Sequence, residues 1–318
     1  MTHWIDPQPV VVPDALRDTV GGHPLVATVL ARRGITTPAG ARAFLDPDRY
    51  MPTSARELLD VEEAADRVWR ALTTGERIAI WGDFDVDGQT ATALLVETLR
   101  EISSTPKTSP RYWVPTRGQG HGIHLSTLDE LLDHGVTLLI TCDTGVDAFA
   151  AIQRAADKGC DVIVTDHHDL PPTLPPALAI VNPNRLPADH PLHELPGVGV
   201  AYKLIERLLD QTPYANRPEA VLDLVALGIV ADVATQVADV RYLLQRGLEA
   251  LRTTKRVGLR ALIEQAELQA DGLTEEHVAY QLAPRLNALG RLNDANRGVE
   301  LLTTQDTSRA RILAAEMD

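Results

Sequence analysis

Apolar and polar positions along the chain fall into three regimes. Up to about residue 75 the spacing is helical: HPLVATVLARRGI, TPAGARAFLD and DVEEAADRVWRALTTGE each return apolar residues to one face, with Pro52 and Thr53 marking a loop between the second and the third. From residue 77 onward, short continuous apolar runs alternate with amphipathic stretches. RIAIWG, RYWVP, TLLITCD, DVIVTD and ALAIVN read as buried strands, and TATALLVETLREI, STLDELLDHG and VDAFAAIQRAADKG as helices between them. Past the proline-rich connection PPTLPPALAIVNPNRLPADHPLHELPG the pattern turns helical again, through GVAYKLIERLL, PEAVLDLVALGIVADV, VRYLLQRGLEALR, VGLRALIEQA and LLTTQDTSRARILAAEMD. Strands alternating with helices at this spacing predict an α/β fold, a mostly parallel sheet with helices on both faces. A small helical segment over 1–75 precedes the α/β lobe of 76–190, and a helical continuation over 191–318 follows it.

Composition narrows the class. At 318 residues and 44% hydrophobic, the chain can bury a sizeable core and make about two lobes. No apolar stretch approaches the roughly 18 residues that span a bilayer, and MTHWIDPQPV lacks the charged start and apolar block of a signal peptide. The cytoplasm, and no membrane partner, are the expectation. Cys142 and Cys160 fall on neighbouring buried strands, which suits a reducing compartment rather than a disulfide framework. A net charge of −14 excludes a protein that holds nucleic acid mainly through a basic surface. It does not exclude phosphate substrates, because carboxylates that hold divalent cations turn locally positive.

Candidate chemistry gathers at three strand ends. RIAIWG runs into Asp83, Asp85 and Asp87; TLLITCD ends in Asp143; DVIVTD ends in Asp166, His167 and His168. In a parallel sheet these ends share one edge, the edge where functional groups collect. Taken singly, each has a structural reading: a turn former or helix cap for Asp143, a calcium loop for the DxDxDG run, one exposed and one core residue for the histidines. Together they place like charges that would repel one another unless a pair of divalent cations compensates.

GDFDVDGQTA, ITCDTGV and VTDHHDLPP resemble the first three motifs of the DHH phosphoesterases, LVALGIVADVATQVADVR the fourth, and APRLNALGR the arginine-containing loop that follows. The likeness runs from about residue 20 to 310 and is strongest to the branch of single-strand-specific exonucleases. It implies that Asp83, Asp85 and Asp143 hold one Mn²⁺ or Mg²⁺ and that Asp87, Asp143, His167 and Asp232 hold a second, Mn²⁺ being preferred. It further implies that His168 faces the scissile phosphate beside Asp166, and that Arg291 and Asn287 bind a phosphate oxygen. The implied function is a two-metal phosphodiesterase that degrades single-stranded DNA from the 5′ end to 5′-mononucleotides in repair or recombination, with repair or replication proteins as partners. The alternatives are a hydrolase of short oligonucleotides or cyclic dinucleotides, and a non-catalytic scaffold subunit.

Departures from the family pattern are visible too. RGQGHGIH is one residue shorter than the family's loop and carries Gln119 and His121 where Glu and Tyr are usual, leaving Arg117 as its phosphate contact. Asp239, Val240 and Arg241 replace Glu-Asn-Arg, which puts the support of the fourth motif in question. GVGVA at 197–201 reads either as a phosphate-binding turn or as a tight helix start. Family members continue into a domain with a Gly-Gly-His loop, and the exonuclease branch adds an OB fold; neither pattern is in these residues, so a fragment, a truncated product or a one-domain relative is expected.

Overall fold

The computed structural model describes residues 8–103, 109–291 and 294–317, with the side chains of 289–291 outside the description. Two units divide it, Met1–Pro52 and Thr53–Asp318. In the first, helices α1 (Asp14–Val20), α2 (Pro24–Arg32) and α3 (Pro38–Leu45) enclose a small core of Leu16, Ala27, Leu30, Ala31 and Ala41. Thr37 caps α3 by accepting from the Gly40 amide at 3.1 Å. Helix α4 (Val61–Thr74), expected with this preface, falls in the larger unit.

The larger unit is built on five strands, β1 (Ile78–Trp81), β2 (Arg111–Trp113), β3 (Leu138–Cys142), β4 (Asp161–Thr165) and β5 (Ala179–Val181), in the order β2-β1-β3-β4-β5. All four pairings are parallel, as the alternation of apolar runs and helices predicts. Side chains on a strand alternate between faces, so each strand feeds two cores. Ile78, Ile80, Leu138, Ile140 and Ile163 pack on one side with α4, α5 (Val86–Ile102), α8 (Gly197–Leu209) and α9 (Leu222–Ala231). Ala79, Trp81, Leu139, Val162 and Val164 pack on the other with α6 (Leu125–Asp133) and α7 (Phe149–Asp157).

Beyond α8 and α9, the helical continuation comprises α10 (Ala238–Arg252), α11 (Val257–Gln265), α12 (Glu275–His277), α13 (Ala283–Arg291), α14 (Asn296–Thr303) and α15 (Thr307–Ala315). APRLNALGR, expected as a loop, is helix α13, joined to α12 by a π turn over Val278–Leu282. Pro284 explains the π turn: in a regular helix its ring would meet the carbonyl four residues back, and widening the preceding turn relieves that clash. The terminal segment, expected as one helix, is broken into α14 and α15, with the Asp306 carboxylate accepting from the amides of Ser308 at 2.8 Å and Arg309 at 3.2 Å. Among the described residues no helix is long and apolar enough to cross a membrane.

Candidate metal centre

The first acidic group sits where β1 becomes α5. Asp85 is the N-cap of α5 and accepts from the Gly88 amide at 3.0 Å. Gly88 is required there, since a Cβ would stand 2.7 Å from the backbone of Asp83. Asp87, in the first turn, lies buried with its carboxylate accepting from the amides of Gly197 at 2.7 Å and Val198 at 2.9 Å. The start of α8 is therefore a tight helix start whose amides serve Asp87, which settles the two readings of GVGVA. Gly197 and Gly228 leave the room: a Cβ would stand 2.5 Å from Asp143 Cβ at the first and 2.8 Å from Asp87 Oδ1 at the second.

Asp143 follows β3 with a left-handed φ of 60°, a conformation that aspartate tolerates better than most residues. His167 Nε2 lies 3.0 Å from Asp143 Oδ1, 3.8 Å from Asp232 Oδ1 and 3.9 Å from Asp87 Oδ2. Asp232 reaches this point from the C-terminal end of α9. One donor atom each from Asp83, Asp85 and Asp143 lie within 4.8 Å of one another, and the same holds for Asp87, His167 and Asp232. The structure thus brings together all six residues expected as ligands. A third such group joins Asp143, His167 and His168.

Buried acceptors without donors mark this cluster. Asp83 Oδ1 and Asp143 Oδ1 have no hydrogen-bond partner, the latter despite its closeness to His167, and a buried unpaired carboxylate is costly. Burial, then the charge of Asp85, pushes the Asp83 carboxyl up to about 6. Burial and then Asp85 do the same for Asp232, to about 6. Burial first, then neighbouring carboxylates, raise Asp87 and Asp143 well above the usual range. Hard oxygen donors with one imidazole suit Mn²⁺ or Mg²⁺, and such an ion would remove both the repulsion and the orphaned acceptors.

Asp166 stands behind the histidines rather than among the ligands. It accepts from the amides of Val146 (2.9 Å), His167 (2.7 Å) and His168 (3.1 Å), and its Oδ1 is 2.7 Å from His168 Nδ1. Burial works against its charge, yet these contacts outweigh it and hold the carboxyl below its ordinary value. In return the Asp166 hydrogen bond lifts the half-exposed His168 to about 9, while burial lowers His167 and keeps it neutral, as a ligand must be. The asparagines of VNPNR fix the same turn, with Asn184 Nδ2 donating to the His167 carbonyl at 2.7 Å and Asn182 Nδ2 to that of His168 at 3.0 Å.

His121 enters the sequence expectations only as a departure from the family's loop, with no role. Its Nδ1 lies 2.8 Å from Asp83 Oδ2 and its ring centroid 4.3 Å from that of Phe84. A histidine in a glycine-rich loop after a strand was the available signal. Arg117, exposed, lies over the same Phe84 ring at 5.6 Å. Asn287 lines a cleft with Tyr280 and Val233. The Arg291 side chain lies outside the described residues. Asp239, where the fourth motif departs from its pattern, is buried and accepts from the Thr53 amide (2.9 Å) and hydroxyl (2.8 Å), with Lys203 Nζ at 3.5 Å, so the motif's support is rebuilt with other partners.

Residues 77–229 match the model described as the DHH family, N-terminal domain. The single-stranded-DNA-specific exonuclease RecJ of Bacillus subtilis (strain 168) is 40% identical over 299 residues, covering 93% of this chain and 36% of the relative. Its namesake from Escherichia coli (strain K12) is 40% identical over 275 residues, covering 83% and 47%. The crystal structure of RecJ in complex with Mn²⁺ from Thermus thermophilus superposes with a TM-score of 0.82 at 30% identity, over 97% of this chain and 44% of that one. The chain thus spans about a third to a half of the length of these relatives.

Proposed function

The chain belongs to the DHH family, whose N-terminal domain it carries over residues 77–229, and from that premise we propose that it is a two-metal phosphodiesterase that hydrolyses single-stranded DNA from the 5′ end to 5′-mononucleotides, in cytoplasmic DNA repair or recombination. The observation that carries the reading is the pair of buried carboxylate oxygens without donors, Asp83 Oδ1 and Asp143 Oδ1, inside a cluster of like charge. Relatives named for this activity, one of them solved with Mn²⁺, support it.

In this reading Asp83, Asp85 and Asp143 hold one cation and Asp87, Asp143, His167 and Asp232 the other, with Mn²⁺ preferred. Bound there, divalent cations supply Lewis acidity toward phosphoryl oxygens and acidify water. His168, held through Nδ1 by Asp166, donates from Nε2 to an oxygen of the scissile phosphate. Asp166 acts through His168, as a positioning residue. Arg117 and Arg291 neutralise neighbouring phosphates.

The test is thermal and chemical together. Mn²⁺ should raise the melting temperature and support release of nucleotides from labelled single strands, and Asp143→Asn should remove both effects. Stabilisation without hydrolysis would move the assignment to a scaffold. Cleavage of dinucleotides but not of longer strands would move it to the short-substrate branch.

A further inference from the structure

Immediately after Asp232 the chain does something a stable helix end does not need. Helix α9 closes with the Ala234 amide donating to the Ile229 carbonyl and the Val233 amide to the Val230 carbonyl, each at 3.2 Å, which is the Schellman arrangement. Its left-handed position normally holds glycine, yet here it is Val233, at φ 61°. For a β-branched residue that conformation is a true outlier, and such strain clusters at functional sites. The side chain is also 86% exposed, so burial of its methyl groups does not compensate.

Across from it, the π turn bulges Tyr280 into solvent, 77% exposed. Val233, Tyr280, Pro284, Gln236 and Asn287 line an open cleft of about 460 Å³, within the range of small-ligand sites. Its wall includes Ala231 and Val233, the two chain neighbours of Asp232, so the cleft opens beside the backbone that carries that carboxylate, although the Asp232 side chain itself does not line it. Glu275 and Glu276 stand on the same cleft and disfavour a phosphate there. An aromatic face, an apolar ledge and neutral amides that can meet a base edge suit a nucleobase instead.

We propose that Val233 and Tyr280 form a stacking site for a nucleobase of the single strand whose scissile phosphate lies at the Asp232 side of the metal centre. This rests on the phosphodiesterase reading given above and specifies how its substrate is held. Strain at Val233 is retained because glycine would leave no ledge under the base.

The test uses the full chain and a single-stranded decamer carrying 2-aminopurine, with binding read in EDTA by anisotropy and by quenching of the fluorescent base, and hydrolysis read in Mn²⁺. Tyr280→Ala should lose the quenching, weaken binding by about tenfold and raise KM more than it lowers kcat, while Tyr280→Phe retains all three. Val233→Gly should melt no lower than the wild type and still bind more weakly, an outcome that a purely structural role for Val233 does not give. Variants that bind and quench like the wild type overturn the proposal and leave the cleft to another segment or protein, as does a wild-type chain that does not bind the decamer. A wild type that neither takes up Mn²⁺ nor hydrolyses the strand would instead defeat the phosphodiesterase reading; unchanged variants beside an active wild type would defeat the stacking site alone.

Discussion

Asp83→Asn puts the charge argument to a direct test. In the folded chain the Asp83 carboxyl is pushed up to about 6, first by burial and then by Asp85, from an ordinary 3.8. Its folded value lies above its unfolded one, so the native state binds the proton more tightly and stability falls as pH rises between the two. Below 3.8 there is no penalty; above about 6 it is complete. A shift of about 2 units is worth about 3 kcal/mol at 1.36 kcal/mol per unit, and Asp83 is only 1% exposed, so water does little to reduce it. Asparagine keeps the shape and cannot ionise. In EDTA at pH 8 the variant should therefore be more stable than the wild type by up to about 3 kcal/mol, a rise in melting temperature of roughly 5–10 °C. At pH 4 the two should nearly coincide. With Mn²⁺ added at pH 8 the order should reverse, because only the wild type offers a charged oxygen to the cation. Differential scanning calorimetry at the two pH values, with and without Mn²⁺, reads all of this. A variant that melts at or below the wild type in EDTA at pH 8 would show that the cluster is not electrostatically strained, and the case for cations would lose its physical basis.

Two further substitutions separate the site from its scaffold. Gly197→Ala sets a Cβ 2.5 Å from that of Asp143; it should cost about 1–3 kcal/mol by overpacking and displace the shared carboxylate, so that calorimetric titration shows weaker Mn²⁺ uptake. Arg256→Ala removes a buried guanidinium that joins Glu97 on α5 to Asp223 on α9, with Asp223 Oδ2 at 3.2 Å; unfolding in urea should reveal a loss of about 3–5 kcal/mol, while the Mn²⁺-induced rise in melting temperature stays intact.

Which parts of this could be read along the chain follows from how far each depends on distant residues. The five strands and the parallel sheet were legible because continuous runs such as IAIW and DVIVT carry their own signal. The carboxylates after β1 and β3 were legible for the same reason, since a strand end and the turn after it are set locally, whereas Asp232, at the end of α9, came only from the likeness to the family. Helix α13 was not, because Pro284 reads as a breaker and only the π turn upstream makes it tolerable. The break before α15 depends on one capping carboxylate, Asp306, in a stretch whose apolar spacing is otherwise helical. The contact of His121 with Asp83 was not legible because nothing near the histidine in sequence announces a carboxylate 38 residues earlier.

The arrangement of α5 and α9 explains why one edge of the sheet can carry so much charge. Asp85 and Asp87 lie at the N-terminal end of α5 and Asp232 at the C-terminal end of α9, so the two packed helices present opposite ends to the same point. The N-terminal dipole of α5 and the amides at the start of α8 favour the carboxylates beside them, whereas the C-terminal dipole of α9 opposes a negative Asp232. Nothing on its own helix offsets the charge of Asp232, which is pushed up to about 6. Burial leaves Asp87 and Asp143 the carboxylates most dependent on a cation for their ionisation, and Asp232 the expected ligand whose own helix end adds to that need.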